Sequence, residues 1–309
     1  MEKQKIVVVA GPTGTGKTKL SVALAKQFGG EIISADSMQI YKGLDIGSAK
    51  VTPEETEGIP HHLIDILEPD ETFSVAQYVQ KANEAAEDIL KRGKMPILCG
   101  GTGLYISSFV DNVKFTESET DFSLRERLMR EAEEKGTEVL WQRLAQLDPK
   151  AAEAVHPNNV KRVVRALELY ESTGLTLSEQ NARSKLIESP YEPVMLALTG
   201  ERELLYERIN LRVVRMVEAG LFEEVKALSD SGMTRSMQSM QGIGYKEILA
   251  HFDGECERLE CIELVKKNSR NYAKRQLTWF KRDERYRWFD ISEEDFLERA
   301  TAYVEERIR

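Results

Sequence analysis

Ile6-Val7-Val8-Val9-Ala10-Gly11-Pro12-Thr13-Gly14-Thr15-Gly16-Lys17-Thr18 is the stretch that decides the fold. Its five apolar residues, three of them valine, predict a buried strand, and the pattern from Lys17 to Phe28 predicts a helix directly after it. Between the two, Gly11–Thr18 matches GxxxxGK[ST], a phosphate-binding loop in the strand–helix context that the motif needs. The glycines allow the backbone to turn successive N–H groups inward around a phosphate. The helix that opens at Gly16 adds its positive end, and Lys17 supplies a point charge. Thr18 carries a hydroxyl placed to ligate a Mg²⁺ ion that bridges phosphates. The loop points to a diphosphate or triphosphate, and leaves open which compound carries it and which bond breaks.

Outward from that loop, three more apolar runs predict parallel strands: Glu31–Ala35, Met95–Cys99 and Val194–Leu198. Helical patterns cover Val75–Lys91 before the third strand and Arg202–Leu228 after the fourth. Strands alternating with helices predict an α/β protein with a P-loop NTPase-like parallel sheet core. Residues 114–193 differ in character. They are rich in Glu, Arg, Leu and Ala, hold no strand pattern, and break at Asp148-Pro149, His156-Pro157 and Thr173-Gly174. They predict a helical insertion domain, leaving 1–113 and 194–309 as the core. Beyond Arg202 the chain reads as a helical C-terminal region almost to its end.

The 309 residues are 41% hydrophobic and 31% charged, with a net charge of −9. No apolar run approaches the ~20 residues that span a bilayer, and the N-terminus lacks the apolar segment of a signal peptide. The three cysteines, Cys99, Cys256 and Cys261, form no CxxC pair, so neither a disulfide framework nor a zinc site is expected. A cytoplasmic monomer is the expectation. The net charge argues against a nucleic-acid partner, but it conceals a segment. Lys266–Arg287 holds nine Lys/Arg against Asp283 and Glu284, a net of +7 that leaves −16 on the rest. Its Tyr272, Trp279, Phe280 and Tyr286 either stack on bases or face a core while the charges face water. A second cluster is Lys161, Arg162 and Arg165, at helical spacing along one flank. An acidic body with two basic patches predicts a polyanionic partner held at a defined place.

Asp36 follows the second strand directly, at the sheet edge where α/β proteins bind ligands, with the first strand expected as its neighbour. Three readings compete: a general base, a Mg²⁺ ligand, or a solvated Asp-Ser turn. A metal-binding Asp more often follows a later strand, which favours the base or acceptor. The third strand ends in Cys99-Gly-Gly-Thr-Gly-Leu-Tyr105, where glycines permit close approach of a ligand and Thr102 offers a hydroxyl. His61 and His62 are adjacent, diverge on any regular element and make a poor metal pair.

The blocks GPTGTGKT (11–18), DSMQIY (36–41), GGTGLY (100–105), HPNNVKRVVRALE (156–168), QGIGYKE (241–247) and NYAKRQLTWFKR (271–282) together resemble the tRNA dimethylallyltransferases, the isopentenyltransferase family acting on the adenosine beside the anticodon. They stand in the family's order and span nearly the whole chain. The resemblance implies transfer of a dimethylallyl group from dimethylallyl diphosphate to N6 of that adenine, with Mg²⁺ on Thr18. Gly11, Pro12, Thr13, Gly14, Thr15, Gly16, Lys17 and Thr18 would then hold the leaving diphosphate, not ATP. Asp36, Thr102, Lys17 and Arg212 would carry the chemistry, with Asp36 as base. The positions implied for tRNA are Asp36, Ser37, Met38, Gln39, Thr102 and Arg125; Lys161, Arg162, Val163, Val164 and Arg165; Gln241, Gly242, Ile243, Gly244, Tyr245 and Lys246; and Lys274, Arg275, Gln276, Trp279 and Lys281. One departure is Ser48, where the family pattern leads one to expect Thr, and the hydroxyl is kept.

Three rivals use the same phosphate loop. A small-molecule kinase would use ATP and leaves the helical insert and the +7 segment unexplained. A prenyltransferase for free adenine nucleotides would need no basic patches. A nucleotide-switched RNA-binding module would have no use for Asp36 opposite the phosphate loop.

Overall fold

The computed structural model describes residues 3–115, 122–184 and 188–309. Six parallel strands, β1 (Gln4–Ala10), β2 (Gly30–Ala35), β3 (His61–His62), β4 (Met95–Gly100), β5 (Tyr191–Thr199) and β6 (Arg287–Asp290), form one sheet in the order β3-β2-β4-β1-β5-β6. The four long strands are near-continuous apolar runs because helices cover both faces of a parallel sheet. Val7, Val9, Ile32, Ile97, Leu196 and Leu198 form its core with Leu20 and Leu24 of α1 (Lys17–Phe28). After β2 come α2 (Pro53–Thr56) and α3 (Val75–Lys91), each opened by a reciprocal capping box, on Thr52 and on Ser74. α4 (Gly103–Val110) follows β4.

The sheet order corrects one expectation. β2 is not the neighbour of β1, because β4 lies between them. The tips of all three strands share one edge, and the strand between ends in glycine. A Cβ at Gly100 would collide with the Ala35 carbonyl, so only glycine lets β2 and β4 run this close.

The insertion is a unit of its own, Asp111–Ser189, against the 114–193 read from sequence. It contains α5 (Phe122–Lys135), α6 (Thr137–Leu147), α7 (Pro149–Ala154), α8 (Val160–Thr173) and α9 (Leu177–Ser184). Leu128, Leu140, Leu144, Val163, Val164 and Leu167 fill its core. Asp148, 4% exposed, caps α7 through the Ala151 N–H and accepts from both the N–H and the hydroxyl of Ser178.

The C-terminal part of the first unit differs from the helical expectation in two places. The pattern read as one helix over Arg202–Leu228 is two, α10 (Arg202–Glu218) and α11 (Leu221–Asp230), divided where Gly220 takes φ +101°. After α12 (Tyr245–Phe252) and the long α13 (Arg258–Phe280) the chain returns to the sheet as β6, then ends in α14 (Phe296–Ile308). β6 is a four-residue edge strand anchored by Phe289, 3% exposed, and its flanking arginines hide the signal. No helix among the described residues is long and apolar enough to cross a membrane.

Candidate active site

A cavity of about 1020 Å³ opens at the carboxyl edge of the sheet, within the first unit. One side is the phosphate loop, through Thr13, Gly14, Gly16, Lys17 and Thr18. Asp36–Gln39 stand at the tip of β2, Gly47–Lys50 beyond them, and Gln241, Gly242, Ile243 and Lys246 on the turn before α12. Arg208, Arg212 and Arg215 come from α10, and Tyr272, Arg275 and Gln276 from α13. Lys17 and Lys19 join the four arginines against the carboxylates of Asp36 and Glu55, while Lys50 pairs with Asp45 and Asp65 and Lys246 with Glu247. A site with that excess of positive charge is built for a polyanion.

The loop conformation follows from its residues. Gly16 takes φ +80° and ψ 27° as the N-cap of α1, a left-handed position that turns the helix N-terminus toward the loop. The Thr15 hydroxyl and the Lys17 ammonium both donate to the Pro12 carbonyl, at 2.8 Å each, and the Thr13 hydroxyl accepts from Arg212 Nη1 at 2.9 Å. Burial lowers the Lys17 pKa to about 8, with Arg212 pushing the same way and Cys99 and Asp36 opposing. Burial also lowers Arg212, against the pull of Asp36 and Glu55. Both cations line the cavity, where a bound anion would favour their charged forms.

Asp36 lines the cavity while its Oδ1 accepts the backbone N–H of Met38 at 2.8 Å. It is therefore a turn residue whose carboxylate also lines the cavity. Gln39 donates to the carbonyls of Ser48 (3.4 Å) and Ala49 (3.1 Å), which ties the Asp36 turn to the next wall.

Several expected ligand-facing residues are tied into the protein itself. The Thr102 hydroxyl accepts the Ser37 N–H at 3.1 Å, so it braces the Asp36 turn. Gln276, 5% exposed, accepts the Thr13 N–H and donates to the Gly101 carbonyl, at 3.0 Å each, so its amide is consumed between two loops. Tyr245 is fully buried, and Val163 and Val164 belong to the core of the insertion. Gly244 is buried beneath Leu221, and Trp279 packs on α4, where a Cβ at Gly103 would strike its ring. Gly11, Pro12 and Thr15 are buried within the phosphate loop and do not line the cavity.

The basic patches are part free and part paired. Lys161, Arg162, Lys274 and Lys281 are exposed and, among the described residues, make no ion pair. Arg125 and Arg165 both reach the buried Glu168, Arg125 with two guanidinium nitrogens. The aromatic residues divide. Phe280 and Tyr286 meet edge-to-face at 5.5 Å in the core, whereas Tyr272 faces the cavity with Arg275 over its ring at 5.6 Å. Burial and Asp36 push the Tyr272 phenol up to about 12. The sequence leaves Tyr272 between stacking on bases and packing in a core, and gives no reading of the arginines on either side of Arg212. The repeat Arg208, Arg212, Arg215 on one helical face was the signal that could have found the latter pair.

Comparison with known proteins matches residues 39–283 to the family model described as IPP transferase. The chain belongs to the IPP transferase family. It is 50% identical over 306 residues to the tRNA dimethylallyltransferase of Geobacillus thermodenitrificans, covering 99% of this chain and 96% of that one. It is 48% identical over 302 residues to that of Lachnoclostridium phytofermentans, covering 98% and 96%. Among solved structures it resembles the tRNA isopentenylpyrophosphate transferase of Bacillus halodurans, with TM-score 0.75, 45% identity and coverage of 98% and 96%. A eukaryotic dimethylallyltransferase described as acting on tRNA gives TM-score 0.84 at 32% identity, over 99% of this chain and 79% of that one. Within this family the fold is the expected α/β sheet with added helices.

Proposed function

We propose that the chain is a tRNA dimethylallyltransferase, moving a dimethylallyl group from dimethylallyl diphosphate to N6 of the adenosine on the 3′ side of the anticodon, in the cytoplasm. The observation that carries this reading is the pairing of a cationic phosphate loop with the Asp36 carboxylate in one cavity. A kinase explains the loop but not the exposed cations at Lys161, Arg162, Lys274 and Lys281.

The chemistry follows from the charges. The adenine N6 lone pair forms a bond to C1 of the allylic chain as the C1–O bond breaks, and the electron pair leaves with the diphosphate. Negative charge grows on that diphosphate, and the loop N–H groups, Lys17 and Arg212 are fixed donors for it. N6 is a weak nucleophile because its lone pair is delocalised into the ring. Asp36 accepts the N6 proton, and the Thr102–Ser37 and Met38 hydrogen bonds hold its turn. The target base must leave its stack, at a cost of a few kcal/mol, and the exposed cations offset that with phosphate contacts.

Mg²⁺ fits the donor set. Among the described residues no cluster of three or more His, Cys, Asp or Glu could hold a metal unaided. Mg²⁺ at a phosphate site takes most of its ligands from water and phosphate, so the Thr18 hydroxyl suffices as the protein's share. When bound it would supply further charge stabilisation to the leaving diphosphate.

Asp36→Asn tests the base. It keeps the oxygen that Met38 needs and removes the ability to take a proton. Single-turnover transfer should fall by a factor of about 10² to 10⁴, with tRNA affinity within about threefold of wild type. Wild-type transfer by Asp36→Asn would remove Asp36 from the role.

A further inference from the structure

Glu224, on α11, has no part in the mechanism above, yet it receives four hydrogen bonds. Its Oε2 accepts the backbone N–H of Asp45 (2.9 Å) and of Ile46 (2.7 Å). Its Oε1 accepts the N–H of Gly47 (3.0 Å) and the phenol of Tyr245 (2.6 Å). A carboxylate offers about four lone-pair sites, so this one is filled by a single loop and the ring behind it. The loop lies flat on that ring, since a Cβ at Gly47 would stand 2.5 Å from Tyr245. Tyr245 is itself fully buried and offers a rigid backing.

The loop so gripped forms a wall of the cavity. Gly47, Ser48 and Ala49 line it, and Ala49 holds a left-handed φ of 46°, a conformation an L-residue keeps only when its surroundings impose it. A little further along, Glu55 lines the same cavity and sustains the charge of Arg212, so this segment faces α10 and the donor end. Charge-assisted bonds to a carboxylate are about twice as strong as neutral ones. Without them three adjacent N–H groups would turn to water and the wall would slacken. Gly47 and Ala49 are small, so the room for an allylic chain is set by where their backbone stands.

We infer that Glu224 is a positioning residue for the transfer: by clamping residues 45–47 it fixes the cavity wall and so limits the length of allylic chain accepted. This rests on the reading of the cavity as an allylic diphosphate site. The test compares wild type, Glu224→Ala, Glu224→Gln and Tyr245→Phe in steady-state transfer to unmodified tRNA. The donors are five-carbon dimethylallyl diphosphate and ten-carbon geranyl diphosphate, with thermal melting in parallel. For Glu224→Ala, KM for the five-carbon donor should rise about tenfold with kcat within about threefold, a loss of uniform binding. Its preference for five carbons over ten, as the ratio of kcat/KM values, should fall at least about fivefold. Glu224→Gln keeps one acceptor oxygen and recovers part of both, and Tyr245→Phe moves both by less. If Glu224→Ala does not fold, the two milder variants decide by the same ratio. Folded variants that keep the wild-type donor ratio overturn the role of Glu224 while wild-type transfer stands. Absence of transfer by wild type itself removes the donor reading and the inference with it.

Discussion

Lys17 stands among charges of both signs, with Cys99 and Asp36 holding its proton on while burial and Arg212 drive it off, leaving the pKa at about 8. The sign of the consequence is fixed. Unfolded, this lysine titrates near 10.5, so between about pH 8 and 10.5 the unfolded chain holds more of that proton than the empty folded one. The cost of burying the charge is felt in full below about pH 8 and relaxes as pH rises through that window. A bound diphosphate reverses the balance and recharges Lys17. Inorganic diphosphate binding at pH 9 should therefore take up a fraction of a proton, read as a buffer-dependent calorimetric enthalpy, and affinity should fall above about pH 8. Lys17→Met should lose the uptake. Uptake unchanged in Lys17→Met would assign the proton elsewhere. At this scale the sequence was most legible in the placement of the phosphate loop and Asp36, which local sequence sets. Thr102, Gln276 and Tyr245 were legible only as motif members. Whether a side chain in a motif faces the ligand or braces the residue that does depends on partners far along the chain, as Thr13 is for Gln276.

Among the elements, α13 carries more than its charges suggest. Through Gln276 it joins the phosphate loop to the end of β4, and Gly101 must lack a side chain because a Cβ there would strike the Gln276 amide. Gln276→Ala leaves the part-buried Thr13 N–H and the buried Gly101 carbonyl without this partner, at up to about 1–3 kcal/mol each. Urea unfolding should register a sum of up to roughly 2–6 kcal/mol, together with weaker diphosphate binding as Thr13 loosens. Stability within experimental error of wild type would show that water replaces the amide. Lys17–Phe28 and Val75–Lys91 were readable from sequence to the residue, since both combine clear periodicity with turn or cap chemistry at the start. The α10–α11 break was hidden because apolar spacing continues from Val213 through Leu221 and Val225. β6 was hidden because four residues carry too little pattern to outweigh the arginines around it.

For the molecule as a whole, a net charge of −9 must coexist with a polyanionic partner. On the proposed reading the exposed cations that make no ion pair among the described residues meet that partner, and they divide between the insertion (Lys161, Arg162) and the core unit (Lys274, Lys281). Removing a cation from one phosphate lowers the slope of log affinity against log salt by about 0.7 to 0.9. Arg162→Glu and Lys274→Glu should each weaken tRNA binding with such a fall in slope and leave inorganic diphosphate affinity unchanged. Unaltered affinity and slope in both would free these patches from the tRNA. Arg125 and Arg165, spent on Glu168, should contribute less per charge than Arg162. The sheet order lay beyond the sequence because the strands announce themselves singly while the pairing of β4 between β2 and β1 is a property of the assembled sheet.

The central claim is that the phosphate loop serves an allylic diphosphate while Asp36 serves an adenine. The direct measurement incubates the purified protein, Mg²⁺ and unmodified tRNA with dimethylallyl diphosphate labelled in its carbon chain, with labelled ATP in a parallel reaction. The account predicts label on N6 of the adenosine 3′ to the anticodon, one equivalent of diphosphate released per group transferred, and no ATP turnover. Unlabelled tRNA beside phosphate released from ATP would contradict it and make the loop that of a kinase.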